Sequence, residues 1–184
     1  MTEPRRSARV AGWLWLLVIA AGMVAFAVRA TQPRLALVAN LFAGVCYIGV
    51  TGLLYELLKP VNQSVALFAA FCGLVGVASG AGDALDNGQG QGFSIAMVHF
   101  GFQIASVGYL IVRSTFLPQI LGVLLAIGGS SYVISSFANL LSPAFGAHLS
   151  PFIIPIAVLG EGSLTVWLIV KGVDASKWEG YIRS

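Results

Sequence analysis

The stretch Pro151–Lys171, PFIIPIAVLGEGSLTVWLIVK, decides the fold, because its length and apolar character suit a helix that crosses a bilayer. Its one acidic residue, Glu161, lies near the middle of the run. An ionisable group at that depth is costly, so we expect it to face the interior of a helix bundle and to have a polar partner there. Gly160, Gly162 and Ser163 surround it, and small residues of this kind let neighbouring helices approach closely. This stretch therefore predicts a bundle of membrane helices with a polar interior.

The rest of the chain has the composition of an integral membrane protein. Of its 184 residues, 58% are hydrophobic and 9% are charged, whereas soluble domains average about half and about a quarter. The apolar residues come in six runs of about 20, the length of helix that crosses about 30 Å of hydrocarbon. We therefore predict an all-α polytopic membrane protein, a bundle of six transmembrane helices in one domain. The transmembrane domain covers residues 10–171, with predicted spans at 10–28, 35–58, 62–83, 93–112, 117–141 and 151–171.

The distribution of basic residues predicts the orientation. If both termini are cytoplasmic, the tails 1–9 and 172–184, the inner loops and the inner end of span six at Lys171 together carry eight of the ten Lys and Arg residues. The outer side then carries only Arg29 and Arg34. Cytoplasmic loops are enriched in Lys and Arg. This split predicts an even number of spans, N and C termini in the cytoplasm, and a location in the cell membrane.

The remaining composition argues against several classes of function. The net charge of +3 comes from basic residues at the ends of the spans, as expected beside an anionic leaflet, so we predict no nucleic-acid partner. Cys46 and Cys72 lie apart within apolar runs, and His99 and His148 are the only histidines, too few for a zinc site. We predict no metal and no cofactor, assign no catalytic residue, and consider an enzyme the less favoured class. The expected partner is the lipid bilayer, with a small or lipophilic ligand and self-association left open.

Polar side chains recur at helical spacing along spans two to five. Steps of three and four residues place them on one face of each helix. Turning these faces inward keeps polar groups out of hydrocarbon, where each would cost about 1–3 kcal/mol. The candidate residues for ligand binding or proton relay are Glu161, His99, Gln103, Asp83, Asn139, Ser131, Ser135 and Tyr47.

Glu161 and Gln103 are expected at the same depth. Each lies about ten residues from the outer end of its span, which corresponds to about 15 Å at about 1.5 Å per residue. We expect His99 and Gln103 to face Glu161, with Ser131 or Ser135 close by. Glu161 is expected to be protonated at neutral pH, because desolvation disfavours a charged carboxylate.

Span one differs from the others. Between Val10 and Val28 it has no polar face, only apolar residues, tryptophans and the glycines Gly12 and Gly22. Trp13 and Trp15 lie near its beginning, where aromatic belts meet the membrane interface. A helix that is apolar all round lacks an interior face, so we expect span one to be the helix most exposed to lipid.

Three segments carry a resemblance to a known family. They are LYELLKPVNQSVALFAAF (Leu54–Phe71), GYLIVRSTFLPQILGVLLAIGGSSYVI (Gly108–Ile134) and GEGSLTVWLIVKGV (Gly160–Val173). Through them the chain resembles the bacterial and archaeal membrane family defined by a domain of unknown function called DUF4386. The resemblance covers most of the chain after residue 35 and includes no catalytic signature. It implies a multi-pass membrane protein and no particular reaction.

Two hypotheses about function remain open. The first is a small membrane binding or transport module with a polar cavity in the outer half of the bundle around Glu161. The second is a structural or accessory membrane protein whose polar faces only fix the packing of the helices. Replacing Glu161 by Gln distinguishes them, because a structural hydrogen bond largely survives that change and a protonation role does not.

Overall fold

The chain forms seven α-helices in a computed structural model that describes residues 3–85 and 92–183. The helices are α1 (Pro4–Val28), α2 (Pro33–Leu58), α3 (Gln63–Leu85), α4 (Gly92–Arg113), α5 (Gln119–Leu141), α6 (Pro143–Val170) and α7 (Ala175–Arg183). No β-strand occurs within these residues. Five helices, α1 to α5, are long and apolar enough to cross a membrane, and α6 is a sixth if its two bent halves form one span. The predicted all-helical, multi-span architecture is thereby confirmed.

Proline begins three of the helices, at Pro4, Pro33 and Pro143. A proline is tolerated there because the first N–H groups of a helix have no partner within it. As a result α1 and α6 begin at Pro4 and Pro143, well before residues 10 and 151, where the predicted spans begin. Hydropathy finds the part of a helix that suits hydrocarbon, whereas the proline marks where the helix itself begins.

The six long helices form a closed ring. Each packs against the next along the chain, and α1 also packs against α6. Large side chains from several helices fill the middle of the ring, among them Trp15, Leu54, Leu110, Leu125 and Leu164. Because neighbours in the ring run antiparallel, each connection needs only a short turn.

Glycines bring the backbones of α4 and α5 into direct contact. A Cβ atom at Gly129 would lie 2.5 Å from the backbone nitrogen of Ala105, and one at Gly108 would lie 2.6 Å from the carbonyl oxygen of Gly122. Real Cβ atoms do not come so close to backbone, so only glycine fits these positions. Small residues serve the same purpose in many membrane helix pairs.

The C-terminal segment, predicted as a tail at 172–184, contains the short helix α7, which packs on one end of the ring. Trp178 Nε1 donates to the carbonyl oxygen of Leu57 at 2.9 Å, and the Tyr181 hydroxyl donates to that of Arg113 at 3.0 Å. These carbonyls lie in the last turns of α2 and α4, where no further N–H of the same helix is available. We call this end of the ring, where α1 begins and α6 ends, the α7 end.

Asp174 precedes α7 and binds its first turn. The Ser176 hydroxyl and the Lys177 N–H donate to Asp174 Oδ1 at 2.6 and 3.3 Å. The bond from Ser176, followed by that from Lys177, lowers the pKa of Asp174 below its ordinary value. Asp174 thus has the position and the bonds of an N-cap residue.

The helix α6 is bent. Its parts Pro143–Ile153 and Pro155–Val170 meet at an angle of 41°. Pro155 lacks the N–H that would bind the carbonyl of Pro151, and its ring crowds the same carbonyl. The bend therefore has a local cause in the sequence, and it lies within two turns of Glu161.

Candidate functional site

The carboxylate of Glu161 accepts hydrogen bonds from two neighbouring helices. Trp15 Nε1 on α1 donates to Oε2 at 3.2 Å, and the Tyr132 hydroxyl on α5 donates to Oε1 at 2.9 Å. Trp15 is 2% exposed, and Glu161 and Tyr132 are partly buried. Glu161 therefore joins α6 to both of its neighbours in the ring. We call these three residues the Glu161 cluster.

Two glycines position the Glu161 cluster. A Cβ atom at Gly12 would lie 2.9 Å from the α6 backbone, and one at Gly160 would lie 2.9 Å from the carbonyl oxygen of Leu124 on α5. These close approaches hold α1 and α5 against α6 on the two sides of Glu161. The side chains of Trp15 and Tyr132 consequently reach the carboxylate from opposite neighbours.

Tyr47 lies beside the Glu161 cluster. Its ring packs against that of Phe100 with centroids 4.7 Å apart, and the residue is buried. It interacts electrostatically with both Glu161 and Tyr132. Of the other candidates from the sequence, Tyr47 is the one within electrostatic range of Glu161, although α2 packs against neither α5 nor α6.

Gln103 makes a separate polar contact. Its Nε2 donates to Thr51 Oγ1 on α2 at 3.1 Å, and the side chain is buried. Its Oε1 is buried without a hydrogen-bond partner. Gly73 on α3 makes room for the amide, since a Cβ atom there would lie 2.5 Å from Oε1. The structure thus pairs Gln103 with Thr51, whereas the sequence had suggested Glu161.

Two further candidates are satisfied within their own helices. His99 Nδ1–H donates to the carbonyl oxygen of Ile95 at 2.8 Å, and the Ser131 hydroxyl donates to that of Gly128 at 2.7 Å. Helical carbonyls three or four residues back are the nearest acceptors for such side chains. Neither residue is a partner of Glu161, which corrects the expected arrangement.

The last three candidates lie elsewhere. Ser135 is buried on α5. Asn139 packs against Gly146, near the junction of α5 and α6. Asp83 is in the last turns of α3, and its side chain lies outside the part of the chain that the structure describes.

The sequence reading missed Trp15 and Tyr132. The sequence favours an interfacial belt for Trp15 because the predicted span one covers 10–28, whereas α1 begins at Pro4 and has Trp15 near its middle. The expectation that span one is the helix most exposed to lipid agrees in part with the structure, because α1 and α3 are equally exposed and are the two least buried of α1 to α5. Even so, α1 supplies a donor to Glu161. The available signal was the indole N–H itself, a donor that needs an acceptor when buried.

Glu161 does not line either of two cavities in the described part of the chain. One holds about 10 Å³ between α2, α3 and α4 and is lined by Thr51 and Gln103. The other is a shallow, open groove of about 450 Å³ along the outer face of α6, and its lining residues all come from that helix and its end. Within residues 3–85 and 92–183, no group of three His, Cys, Asp or Glu residues could hold a metal ion. The described contacts of the Glu161 carboxylate are its hydrogen bonds with Trp15 and Tyr132.

A closed ring of apolar helices with a carboxyl group held between three of them defines a polytopic helical membrane protein. The comparison of the sequence with protein families agrees with this class. Residues 26–85 and 80–172 match the family described as "Domain of unknown function (DUF4386)", and the chain belongs to this family. Tyr132 and Glu161 lie within the matched residues, and Trp15 precedes them. No curated protein and no solved structure matches the chain.

Proposed function

We propose that the protein is a small membrane binding or transport module in which Glu161 takes up and releases a proton. The observation that carries the proposal is the pair of donors on the carboxylate. Both oxygens of Glu161 have a partner, and the partners come from different helices. Ionisable groups inside membrane bundles commonly mark proton or substrate pathways.

The Glu161 cluster is compatible with both protonation states of the carboxyl group. When Glu161 is ionised, it accepts from Trp15 and from Tyr132. When it is protonated on Oε1, it donates to Tyr132, because a phenol oxygen both donates and accepts. Trp15 keeps its bond to Oε2 in either state, since an indole N–H only donates. Trp15 and Tyr132 therefore stay hydrogen-bonded to the carboxyl group in both states, and in the protonated state the hydrogen of the Tyr132 hydroxyl no longer points at Glu161.

The bend in α6 supports a transport role. Discontinuous or broken helices line the substrate sites of many transporters near the middle of the bilayer. In this chain the bend at Pro155 lies within two turns of Glu161 on the same helix. Neither cavity described above is lined by Glu161. In this proposal, the polar cavity beside Glu161 forms when α1 or α5 moves relative to α6.

The test is an infrared titration of the purified protein in lipid nanodiscs. Wild type should show a carboxyl C=O band that appears and disappears reversibly with pH, and Glu161→Gln should lose it. Glu56→Gln is the matched control, because Glu56 is exposed at the end of α2 and pairs with Lys59 at 2.7 Å. A carboxyl band that does not titrate over the pH range in which the protein stays folded overturns the proposal.

The alternative is a structural or accessory protein. It is favoured by the way His99 and Ser131 bind carbonyls of their own helices, as polar groups do when they only stabilise packing. Glu161→Gln discriminates well here, because its amide oxygen accepts from Trp15 and its amide nitrogen donates to Tyr132. Both contacts survive while the titratable proton is lost. Under the alternative, this variant is indistinguishable from wild type in every proton-linked measurement.

A further inference from the structure

Three basic residues meet at the α7 end, where α1 begins and α6 ends. Arg9 Nη2 donates to the carbonyl oxygen of Val170 at 3.2 Å. The side chain and backbone of Arg5 pack against Gly172, 3.1 to 3.2 Å from where a Cβ atom would be. Lys171 lies between these two contact points in the sequence and is exposed. Arg5 and Arg9 thus contact the two residues that flank Lys171, and we call these three basic residues the basic cluster.

The groove on α6 leads to this basic cluster. It is a shallow, open groove of about 450 Å³ on the exposed face of α6 alone, and Lys171 and Trp167 line one end of it. Farther along, Gly162 and Ser163 supply small side chains where the neighbouring lining residues are large and apolar. A Cβ atom at Gly162 would meet nothing within 4 Å, so the space above it is empty. The groove is thus apolar along its length and cationic at its end.

We propose that the groove and the basic cluster bind one anionic phospholipid. An acyl chain lies in the groove past Gly162, and the phosphate binds at Arg5, Arg9 and Lys171. Basic sites beside membrane helices bind anionic headgroups, and guanidinium groups offer paired donors to phosphate oxygens. The Lys171 ammonium lies 5.2 Å from the centroid of the Trp167 ring, which keeps this charge over the end of the groove.

Charge complementarity favours a lipid over a second copy of the chain. Two copies in one membrane would pack this face around a two-fold axis along the membrane normal, so each residue would approach its own counterpart. Such packing would bring two basic clusters together. An anionic lipid neutralises one cluster instead.

The headgroup test uses native mass spectrometry of the full-length protein with phosphatidylglycerol and phosphatidylcholine of identical chains. Wild type should bind phosphatidylglycerol more tightly. Lys171→Gln should weaken that binding about five-fold, and Arg9→Gln with Lys171→Gln about twenty-fold or more, because each basic residue near a headgroup contributes about that factor. Arg113→Gln is the control, since Arg113 lies at the same end on α4 and lines no part of the groove.

Binding of the acyl chain is tested with a variant whose larger side chain occupies the groove. Gly162→Leu should weaken binding of both lipids, whereas Gly52→Leu, at another position with nothing within 4 Å, should leave it unchanged. Lys171→Gln alone decides the headgroup question if Arg9→Gln impairs folding, because the described hydrogen bond to Val170 involves only Arg9. Equal affinity for the two lipids, equal losses in Arg113→Gln, or a dimer that Gly162→Leu abolishes would each overturn the proposal.

Discussion

Trp13 and Trp15 lie two residues apart on α1 in opposite environments, 56% and 2% exposed. Replacing Trp15 by Phe removes the indole N–H and leaves Glu161 Oε2 without its donor. We expect Trp15→Phe to lower the free energy of unfolding by about 1–3 kcal/mol. Trp13→Phe should change it by less than about 0.5 kcal/mol. Denaturant unfolding in micelles measures both, and equal effects would contradict the assigned role of Trp15.

The contact between Gln103 and Thr51 gives a second prediction. Thr51→Val should destabilise the protein by about 1–3 kcal/mol, because it removes the acceptor of Gln103 Nε2 in a side chain whose Oε1 already has no partner. Adding Gln103→Met should recover most of that loss, since replacing both polar partners by apolar groups is nearly neutral. A double-mutant cycle measures the coupling.

Thr115→Val serves as the control for this cycle, since Thr115 is exposed in the turn between α4 and α5. It should leave the free energy of unfolding almost unchanged. If the double variant is as unstable as the sum of Thr51→Val and Gln103→Met, the two residues are not coupled.

At the scale of single residues, the sequence identifies Glu161 as a candidate, but it does not identify Trp15 and Tyr132 as its hydrogen-bond partners. Glu161 stands out because a single charge in an apolar run has few acceptable positions. The partners could not be predicted in the same way, because Trp15 and Tyr132 also fit the membrane interface and the lipid-facing surface. His99 and Ser131 share a polar face with better candidates, yet each finds a nearer acceptor in its own helix. The spacing of polar residues shows which face of a helix is polar. It does not show whether a side chain on that face bonds to a carbonyl of its own helix or to a residue on another helix.

At the scale of helices, the contact of α4 with α5 is the most sensitive to added volume. Gly129→Ala should destabilise the protein by about 1–3 kcal/mol, because the added methyl group overlaps the backbone of Ala105. Gly52→Ala, at a position with nothing within 4 Å, should be neutral or slightly stabilising. Thermal unfolding of the two variants side by side tests this, and an unaffected Gly129→Ala would mean that the helices pack farther apart.

The helices were easier to predict than their ends. Runs of about 20 apolar residues locate a membrane helix reliably because the bilayer sets their length. The ends depend on other chemistry: Pro143 begins α6 at the position that proline tolerates, and α7 forms because Trp178 and Tyr181 bind the carbonyls at the ends of α2 and α4. Hydropathy indicates neither the proline that begins α6 nor the hydrogen bonds that hold α7 in place.

At the scale of the whole molecule, the basic residues predict which end of the ring faces the cytoplasm. Arg9, Lys59, Arg113 and Lys171 all lie at the α7 end, and Arg29 and Arg34 lie at the opposite end. We expect reporter fusions after Asp86 to lie outside the cell and fusions after Lys171 to lie inside, because cytoplasmic segments retain Lys and Arg. Reporters on one side in both fusions would mean an even number of crossings between them and would contradict the predicted topology.

The bond from Trp15 to Glu161 joins residues 146 positions apart in the sequence, and this separation dictates an order of events during synthesis. The ribosome delivers α1 to the bilayer first and α6 last among the six long helices. Until α6 is inserted, the indole of Trp15 lacks its acceptor, and the ring remains open between α1 and α5. Glu161 then arrives with its two donors already embedded in the membrane. The insertion of α6 therefore completes both the ring and the Glu161 cluster, and a nascent chain that ends before residue 161 has neither.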